Sequence, residues 1–372
     1  MPRTDRLDSL GMAELLRNFP QQIEEAIQIG EDFGGPPPPS AAGAAKSPTV
    51  AAGGSGAGTL RGPIEKIVFV GMGGSAIGGD VIRSLLARDL PLPLSVSRHY
   101  LLPAWVDSKT LCIFSSYSGN TEETLAGFQE GMKKKLRSVV ITSGGELARL
   151  AQKPSLPWIE IPKGLPPRAA LGYSVFPILK LFSKLNLWKW DAPAVRETLA
   201  LLKKLNGEKF SPEVPLKSNP ARQAAKSLWG RFVAIYAGTE LLETAALRFR
   251  NQIEENAKAL ASHHLLPEMN HNEILGWENP GTLIGRSIAV FLRDSEDHPR
   301  IQLRFKITRK LLAERGIQIL EMHSEGKSRL ARLFSAILLG DWASYYLALL
   351  YGVDPTPVAI IEDLKKQLAR AK

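Results

Sequence analysis

Residues 66–80 read KIVFVGMGGSAIGGD, a short apolar run that leads directly into a glycine-rich turn and then a helical pattern. An apolar run of this kind is typical of a strand buried on both faces of a parallel sheet. Glycines at a strand-to-helix turn let backbone N–H groups approach an anion at the start of the helix. The same glycines are also typical of a tight turn that packs a helix closely on a sheet. The stretch therefore predicts a βα unit and marks a candidate anion site.

The alternation of short apolar runs with helical patterns continues along the chain and indicates parallel sheets. Strands are predicted at residues 66–71, 92–98, 110–115, 138–142, 158–161, 232–237, 287–292 and 317–322. Helices are predicted at residues 76–87, 121–133, 146–153, 170–185, 221–228, 242–262, 300–315, 329–350 and from about 356 onward. A polar segment at 206–220 divides this series into two α/β units with no close sequence repeat.

A chain of 372 residues is too long for one compact core, so two domains are expected. Residues 34–59 are rich in glycine, proline and alanine, with Lys46 as their only charge, and this composition predicts a flexible linker. The predicted fold class is α/β, with two tandem doubly wound parallel-sheet sandwich domains. The expected divisions are an N-terminal helical segment at 1–33, the linker at 34–60, and domains at 61–205 and 206–372.

The single cysteine excludes a disulfide framework and a multi-cysteine metal site, and it is typical of a reducing compartment. Cys112 falls within a predicted strand, where a small buried thiol is expected. The N-terminal residues contain no unbroken apolar core of the signal-peptide type, and no run of about 18 apolar residues occurs. We therefore expect a cytoplasmic protein without a membrane partner.

The formal net charge of +10 leaves a nucleic-acid partner open until the basic residues are located. They are spread over both halves of the chain, with local clusters at residues 133–137 and 304–310. Both clusters fall at ends or exposed faces of predicted helices, where basic side chains are usually solvated. No helix-turn-helix, zinc-finger or ribonucleoprotein pattern accompanies them, so no nucleic-acid partner is predicted.

Residues 115–124 read SSYSGNTEET and form the turn between the third predicted strand and its helix. Hydroxyl side chains and free amides at a helix start can surround phosphate oxygens without a metal. An elaborate helix cap, with acidic side chains complementing the helix dipole, is the alternative. Ser116, Ser118 and Thr121 together exceed what a cap needs, so the pattern favours a phosphate site.

The glycine-rich and hydroxyl-rich turns both fall at carboxyl ends of predicted strands, where open parallel sheets bind ligands. The turn at 71–80 lacks the G-x-G-x-x-G register of a dinucleotide site and the lysine of a P-loop. A phosphate monoester on a sugar therefore fits these turns better than a dinucleotide, and small sugar phosphates are the expected ligands.

Six segments of the chain carry a resemblance to a known family. They are GMGGSAIGGD at 71–80, SSYSGNTEET at 115–124, PPRAALGY at 166–173, NQIEENAK at 251–258, PEMNHNEI at 267–274 and GDWASYYLA at 340–348. In this order they resemble the bifunctional phosphoglucose/phosphomannose isomerase family, which has tandem sugar isomerase domains. The resemblance covers residues 60–372, and the segment at 34–59 departs from the family's compact pattern.

The resemblance implies an aldose–ketose isomerase that interconverts glucose 6-phosphate, and mannose 6-phosphate as well, with fructose 6-phosphate. The implied mechanism passes through a cis-enediol and uses no metal and no cofactor. The chain's remaining acidic and histidine candidates form no spaced metal-ligand set; they are Glu243, His263, His264 and His323. The residues implied to hold the substrate phosphate are Gly73, Gly74, Ser75, Ser116, Ser118 and Thr121.

Such an isomerisation needs a base that carries a proton between C1 and C2 and a positive group beside the enediolate. The resemblance places the base at Glu255; from the residues alone, a surface carboxylate paired with Lys258 is the alternative. Glu254 points about 100° away on the same helix, so both carboxylates cannot face one ligand. Arg168 is implied to stabilise the enediolate, although a capping or ion-pairing arginine also fits its position after two prolines.

His271 and a lysine of the C-terminal helix are implied to open the sugar ring. Lys365 fits the family's position best, and the adjacent Lys366 keeps that choice open. Taken alone, His271 is also typical of a hydrogen-bonded loop histidine, and Lys365 of a solvated surface. In the resembling family this histidine reaches the site of the neighbouring subunit, which implies a homodimer with His271 contributed across the interface.

Two other functions remain open from the sequence. The same kind of phosphate-binding domain also serves in regulators, so a non-catalytic sensor of sugar phosphates is one alternative. A regulator needs an output module, however, and the N-terminal 60 residues are too short and too poor in basic recognition helix to supply one. An isomerase of another phosphosugar is the second alternative.

Overall fold

The computed structural model of this chain describes residues 7–33, 60, 62–152 and 156–371. The linker predicted at 34–60 lies outside the described residues, apart from Leu60. The chain divides into two compact units. Unit A is Asn18–Ala192, and unit B combines Met1–Arg17 with Pro193–Lys372.

Strands and helices alternate in both units, as the sequence predicts. Strands β1 to β9 are Lys66–Val70, Leu94–Ser97, Thr110–Ser115, Arg137–Thr142, Trp158–Glu160, Phe232–Gly238, Ala261–Leu266, Ser287–Arg293 and Gln318–His323. Helices α1 to α14 are Met12–Arg17, Phe19–Asp32, Gly73–Leu85, Glu122–Lys133, Gly145–Gln152, Leu171–Lys184, Ala192–Leu205, Pro220–Leu228, Glu243–Ala257, Glu273–Gly276, Gly281–Ile284, Pro299–Glu314, Arg329–Tyr351 and Ala359–Arg370. Helices α1 and α2 confirm the predicted N-terminal helical segment.

Sheet A, in unit A, is fully parallel with the strand order β2-β1-β3-β4-β5. The central strand β3 is buried at every position, as its continuous apolar run predicts. Val68 on one face belongs to a core that includes Phe128 of α4, while Phe69 on the other face meets Gly79 of α3. Cys112 is a buried thiol whose pKa burial raises to about 12. Helices thus cover both faces, which confirms the predicted doubly wound architecture.

Sheet B, in unit B, is also parallel, with the order β7-β6-β8-β9. Its longest helix, α13, is long and apolar enough to cross a membrane by length and composition, but 89% of that apolar window is buried inside the protein. This burial is what the core helix of an α/β domain requires, because its side chains must pack on neighbouring helices rather than meet water. Helix α13 packs on α8 and α9.

The helix predicted at 242–262 was wrong over its last residues. Helix α9 ends at Ala257, and Lys258 takes a left-handed conformation with φ of 53°. The chain then forms β7, an edge strand of sheet B that contains His263 and His264. A half-exposed edge strand with two polar residues side by side lacks the apolar run by which buried strands are recognised.

Other helices also differ from the sequence prediction, which did not include the short helices α10 and α11. Helix α7, Ala192–Leu205, was missed, because it directly follows the connection that contains Trp188 and Trp190 and carries a mixed polar pattern. The C-terminal helix begins at Ala359 rather than near residue 356. Pro357 explains the delay, since the residue before a proline is disfavoured in helical conformation.

Candidate functional site

The hydroxyl cluster, defined here as Ser75, Ser116, Ser118 and Thr121, lies where the adjacent strands β1 and β3 end. The Tyr117 backbone N–H donates to Ser75 Oγ at 3.0 Å and joins the two turns. A Cβ built on Gly71 would lie 2.9 Å from the Ser115 carbonyl oxygen, so only glycine permits this approach. The structure therefore brings the two sequence-predicted turns together.

The hydroxyl oxygens of the cluster act mainly as acceptors for backbone N–H groups of the same turns. Gly119 N–H donates to Ser116 Oγ at 3.1 Å, and Asn120 N–H donates to Ser118 Oγ at 3.2 Å. Ser116 Oγ and Thr121 Oγ1 are 2.9 Å apart and share one O–H between them. Among the described residues, no acceptor engages the O–H of Ser75, that of Ser118, or the second O–H of the Ser116 and Thr121 pair. The cluster therefore keeps donors for an acceptor-rich ligand.

Both helices that begin at this cluster start without a side-chain cap. Met72 precedes α3 and Thr121 precedes α4, and neither side chain accepts a hydrogen bond from its own helix. Thr121 pairs instead with Ser116, so the helix-cap interpretation of this hydroxyl is wrong. First-turn amides and the positive ends of two helix dipoles accompany the hydroxyl donors, an arrangement that favours an anion.

Glycines hold the hydroxyl-rich turn against the next loop of sheet A. Gly119 has φ of +69°, and a Cβ there would lie 1.8 Å from the Gly144 carbonyl oxygen. A Cβ on Gly145 would lie 2.3 Å from the Ser118 carbonyl oxygen. The two loops thus interlock backbone against backbone, which leaves the turn little freedom to change shape.

Arg168 lies in a short 3-10 turn, Pro167–Ala169, and is only 3% exposed. This turn packs against the start of α3, because a Cβ on Gly74 would lie 2.8 Å from the Pro167 carbonyl oxygen and 3.0 Å from the Arg168 nitrogen. Gly74 therefore joins the glycine-rich turn to the turn that carries Arg168. Both belong to unit A, together with the hydroxyl cluster and Gly73.

Glu255 lies near the end of α9, in unit B, and is partly exposed. The same helix is locked to α13 by buried polar contacts: the Arg248 guanidinium meets both Asp341 carboxylate oxygens at 3.0 and 2.7 Å. Asn256 Nδ2, next to Glu255, donates to Ser344 Oγ at 2.9 Å. These contacts fix the backbone beside Glu255.

The two carboxylates at this end of α9 have different surroundings. Burial raises the pKa of Glu254 above its ordinary value, while Arg250, 3.7 Å away, opposes the shift and Glu255 adds to it. Lys258, the partner suggested for Glu255 by the surface-pair interpretation, donates to the backbone carbonyls of Asn256 at 3.1 Å and Asp354 at 2.5 Å. Lys258 thus has backbone acceptors that the sequence did not indicate.

His271 is exposed at the end of the 3-10 turn Glu268–His271. Residues on both sides of it are anchored. Asn270 Nδ2 donates to Thr308 Oγ1 at 2.8 Å. The Glu273 carboxylate accepts from Tyr236 OH at 2.6 Å and pairs with His264 Nδ1 at 2.7 Å. The turn is thus held firmly while the His271 ring faces solvent.

Lys365 and Lys366 both lie on α14, a helix of unit B with no buried residue. Its large apolar side chains are exposed, with 86% of Ile360 and 57% of Leu364 accessible. Residues three and four apart are neighbours on a helix, so Lys365 lies beside Ile361 and Leu368. The corresponding neighbours of Lys366 are Glu362, Asp363, Ala369 and Arg370. The apolar stripe of α14 therefore adjoins Lys365.

The described residues contain no group of three or more histidine, cysteine, aspartate or glutamate side chains that could hold a metal ion. The structure brings the hydroxyl cluster, Gly73, Gly74 and Arg168 together in unit A. It places Glu255, His271 and Lys365 in unit B.

Comparison with known proteins identifies the family. The bifunctional phosphoglucose/phosphomannose isomerase of Caldicellulosiruptor bescii is 42% identical over 361 residues, which cover 97% of this chain and 100% of that protein. This chain belongs to the bifunctional phosphoglucose/phosphomannose isomerase family. The bifunctional phosphoglucose/phosphomannose isomerase of Aquifex aeolicus is 37% identical over 309 residues, which cover 83% of this chain and 92% of that protein. The family described as "Bacterial phospho-glucose isomerase C-terminal SIS domain" matches residues 217–368.

The fold of this family member also occurs in solved structures of low sequence similarity. The crystal structure of hypothetical protein TT0462 from Thermus thermophilus superposes with a TM-score of 0.69 at 16% identity, over 98% of this chain and 91% of that one. At this identity the likeness concerns the fold alone, and it agrees with the predicted tandem sugar isomerase architecture.

Some residues that shape the site in this family member were not found from the sequence. Asp341 and Ser344 lie in the segment GDWASYYLA, which the resemblance singled out without a role, and they anchor the helix of Glu255. Gln22 was not singled out at all; it is buried and contacts the backbone on the far side of Arg168. Only the amphipathic pattern of its helix hinted that this face is covered.

Proposed function

We propose that this chain interconverts glucose 6-phosphate and mannose 6-phosphate with fructose 6-phosphate. The observation that carries the proposal is the 42% identity to a bifunctional phosphoglucose/phosphomannose isomerase over the whole of that protein. The hydroxyl cluster adds a physical reason, because a phosphate monoester offers only acceptors and this cluster retains donors. Two helix N-termini supply the favourable dipole for its charge.

Glu255 is the proposed base that carries the proton between C1 and C2 of the open-chain sugar. A carboxylate on a rigid helix holds its position from one turnover to the next, which is what general base catalysis requires. Arg168 is the proposed cation beside the enediolate, because its guanidinium keeps its charge at every working pH. In the aldose-to-ketose direction, Glu255 removes the C2 proton, the C1–C2 double bond forms and the carbonyl oxygen O1 takes the negative charge of the enediolate beside Arg168. The hydroxyl proton then passes from O2 to O1 through the cis-enediol, and Glu255 returns its proton to C1.

His271 and Lys365 are the proposed acid–base pair that opens the sugar ring. A histidine exchanges protons near neutral pH, and an anchored turn with an exposed ring is suited to present it. Lys365 is preferred to Lys366 because it adjoins the apolar stripe of α14. Burial of this stripe against another surface would contribute the most favourable free energy of any side of the helix. A lysine beside covered apolar surface loses hydration and becomes a better proton carrier.

The proposed assembly is a homodimer in which each subunit contributes His271 to the site of its partner. Two features of unit B support it: the exposed His271 ring and the exposed apolar side chains of α14. A stripe of this kind is typically covered by another surface.

A coupled assay of the pure protein with glucose 6-phosphate and mannose 6-phosphate side by side tests the proposed reaction. Both substrates should yield fructose 6-phosphate, and Glu255→Gln should lower kcat by at least about a hundredfold while fructose 6-phosphate still binds. Glu254→Gln is the matched control, with a small expected effect. A protein that binds fructose 6-phosphate without any turnover would instead be a sensor.

Mixing two inactive variants tests the shared site. Glu255→Gln and His271→Asn subunits should each be inactive, and dissociation and reassembly of a mixture should restore about a quarter of the wild-type activity, because half of the dimers then hold one intact site. No recovery in a mixture that does form mixed dimers would place His271 in the site of its own subunit.

Metal independence and a cytoplasmic location remain part of the proposal. Activity should survive prolonged treatment with EDTA. Loss of activity that zinc restores would contradict the metal-free mechanism. The single buried cysteine supports a reducing compartment, and localisation of a tagged chain in its native cell would test it.

A further inference from the structure

Gln22, on helix α2, makes two hydrogen bonds to the backbone that follows Arg168. Its side-chain Nε2 donates to the Ala169 carbonyl oxygen at 2.7 Å, and its Oε1 accepts the Gly172 N–H at 2.8 Å. Gln22 is 7% exposed, and a Cβ on Gly172 would lie 2.9 Å from its Oε1. One buried amide thus satisfies a carbonyl and an N–H that flank the start of α6, both of which need partners away from water.

The turn that carries Arg168 is consequently held from two sides. Gly74 of the glycine-rich turn packs against its first residues, at Pro167 and the Arg168 nitrogen. Gln22 holds its last residue, Ala169, and the first turn of the helix that follows. The positions that the Arg168 guanidinium can reach extend from its backbone, so a shift of the backbone shifts all of them. Fixing that backbone reduces the freedom that catalysis would otherwise have to remove.

Contacts other than those of Gln22 also hold helix α2 against the rest of unit A. Glu25 accepts from Tyr173 OH at 2.5 Å, Glu31 pairs with Lys180, and the Phe33 carbonyl accepts from Lys184 at 2.7 Å. Gly30 also lets α2 approach α6 closely at Pro177 and Lys180. Helix α2 therefore keeps several anchors when Gln22 alone is changed.

We propose that Gln22 is a positioning residue for Arg168: through its two backbone hydrogen bonds it sets where the guanidinium acts on the reacting sugar. The inference rests on the proposed function, because it assigns Gln22 a part in the step in which Arg168 stabilises the enediolate. It gives the N-terminal helix a part in catalysis, although none of its residues is placed against the substrate.

The test compares Gln22→Met with Gln28→Met in the full chain. Methionine is close to glutamine in size and removes both hydrogen bonds, and Gln28 is an exposed glutamine on the same helix that bonds Asp32. Gln22→Met should lower kcat by on the order of 10- to 100-fold, because a displaced catalytic group acts poorly, with KM and the inhibition constant of inorganic phosphate changed by less than about threefold. Gln28→Met should leave kcat unchanged. An unchanged kcat in Gln22→Met would overturn the proposal.

A double-mutant cycle separates positioning from a general loss of structure. In an Arg168→Lys background, Gln22→Met should lower kcat by less than about threefold, because the group it positions is already altered. A full 10- to 100-fold loss in that background would mean that Gln22 acts elsewhere. Gly172→Ala provides an independent variant, since its methyl group should displace Gln22 Oε1 and reproduce the kcat loss.

Hydrogen exchange distinguishes failure of this inference from failure of the proposed function. Amide exchange in a peptide covering residues 168–175 should accelerate in Gln22→Met and not in Gln28→Met, because the Gly172 N–H loses its acceptor. If the wild-type chain shows no isomerase activity, both the proposed function and the catalytic role of Gln22 are wrong. If Gln22→Met leaves amide exchange unchanged and the wild-type enzyme is active, then Gln22 does not hold the turn in place. The proposed function would stand.

Discussion

The four strands of sheet B follow the same order as the first four strands of sheet A, but the side chains at the carboxyl ends of the two sheets differ. In sheet A the turns after β1 and β3 carry hydroxyls and backbone amides. In sheet B the turns after β6 and β8 contribute to an ion-pair cluster, defined as Glu240, Asp294, Asp297, Arg329 and Arg332. Arg332 Nε lies 2.8 Å from Asp294 Oδ1, and Arg329 lies 2.9 Å from Glu240. The edge of sheet B is thus filled by its own charges.

Glycines at equivalent places have different neighbours in the two sheets. A Cβ on Gly71, after β1, would meet the Ser115 backbone at 2.9 Å, whereas a Cβ on Gly238, at the end of β6, would meet Asp297 Oδ1 at 2.8 Å. In sheet B a carboxylate therefore lies against the glycine that ends β6. Two sheets with the same strand order around their central strands thus carry different side chains at their carboxyl ends, which supports the proposal of a phosphate site at sheet A.

The largest effect is expected from breaking the ion-pair cluster of sheet B. Arg332→Met removes one partner of a buried pair and leaves the Asp294 carboxylate without its cation, which should lower the free energy of unfolding by about 3–5 kcal/mol. Chemical denaturation measures the loss. Arg309→Met, at an exposed pair 3.7 Å from Glu321, is the control and should cost less than about 1 kcal/mol. Equal effects of the two variants would mean that the cluster adds no more than a surface pair.

Next in size is the effect of removing a hydroxyl from sheet A. Ser116→Ala should lower kcat/KM by about a hundredfold, near 2.7 kcal/mol, because the buried donor pair with Thr121 is lost. The inhibition constant of inorganic phosphate should rise with it. Ser138→Ala, a buried serine whose hydroxyl donates to the Leu136 carbonyl at 3.0 Å, is the matched control with unchanged phosphate binding. Equal phosphate affinity in both variants would place the phosphate elsewhere.

A smaller, stabilising effect is expected at Asp297. Burial raises its pKa from 3.8 to about 6. The hydrogen bond from the Asp294 backbone N–H and the charge of Arg293 oppose this shift, whereas the carboxylate charges of Asp294 and Glu240 add to it. The folded state therefore binds this proton more tightly than the unfolded state, and stability falls as the pH rises from about 4 to about 6. Asp297→Asn should raise the free energy of unfolding at pH 8 by about 1 kcal/mol, because the carboxyl is partly exposed, and the gain should vanish below about pH 4. A gain that persists at pH 4 would point to another cause.

The smallest effect concerns His263 in β7. Burial lowers its pKa from 6.5 to about 4, and the neighbouring Arg250 and His264 act in the same direction. Its Nδ1 has no hydrogen-bond partner among the described residues. Stability should therefore fall as the pH drops from about 6.5 towards 4, by up to about 1 kcal/mol at pH 5, and His263→Gln should flatten that slope. An identical slope in wild type and variant would assign it to other groups.

Local sequence patterns correctly predicted the elements whose structure depends on residues adjacent in the sequence. The apolar runs of β1 and β3 identified buried strands, and the hydroxyls of residues 115–124 identified the turn that follows β3. Strand β7 escaped because an edge strand exposes one side and shows no apolar run.

Contacts between residues that are far apart in the sequence could not be predicted from local sequence patterns. Gln22 meets Ala169 across 147 positions of sequence, and Arg248 meets Asp341 across 93. A glutamine or an arginine on a helix looks like surface until the tertiary structure supplies its partner. The roles proposed for Glu255, His271 and Lys365 rest on family resemblance rather than on local chemistry.

The interlocked backbones at Gly119 and Gly145 also limit how this enzyme can be redesigned. A side chain at either position would collide with the opposing carbonyl, so a library that randomises both should return only glycine among folded members. Recombining this loop with longer loops from other sugar-phosphate proteins should fail for the same reason. Directed evolution of a new substrate range would therefore have to leave these two glycines unchanged and vary residues elsewhere.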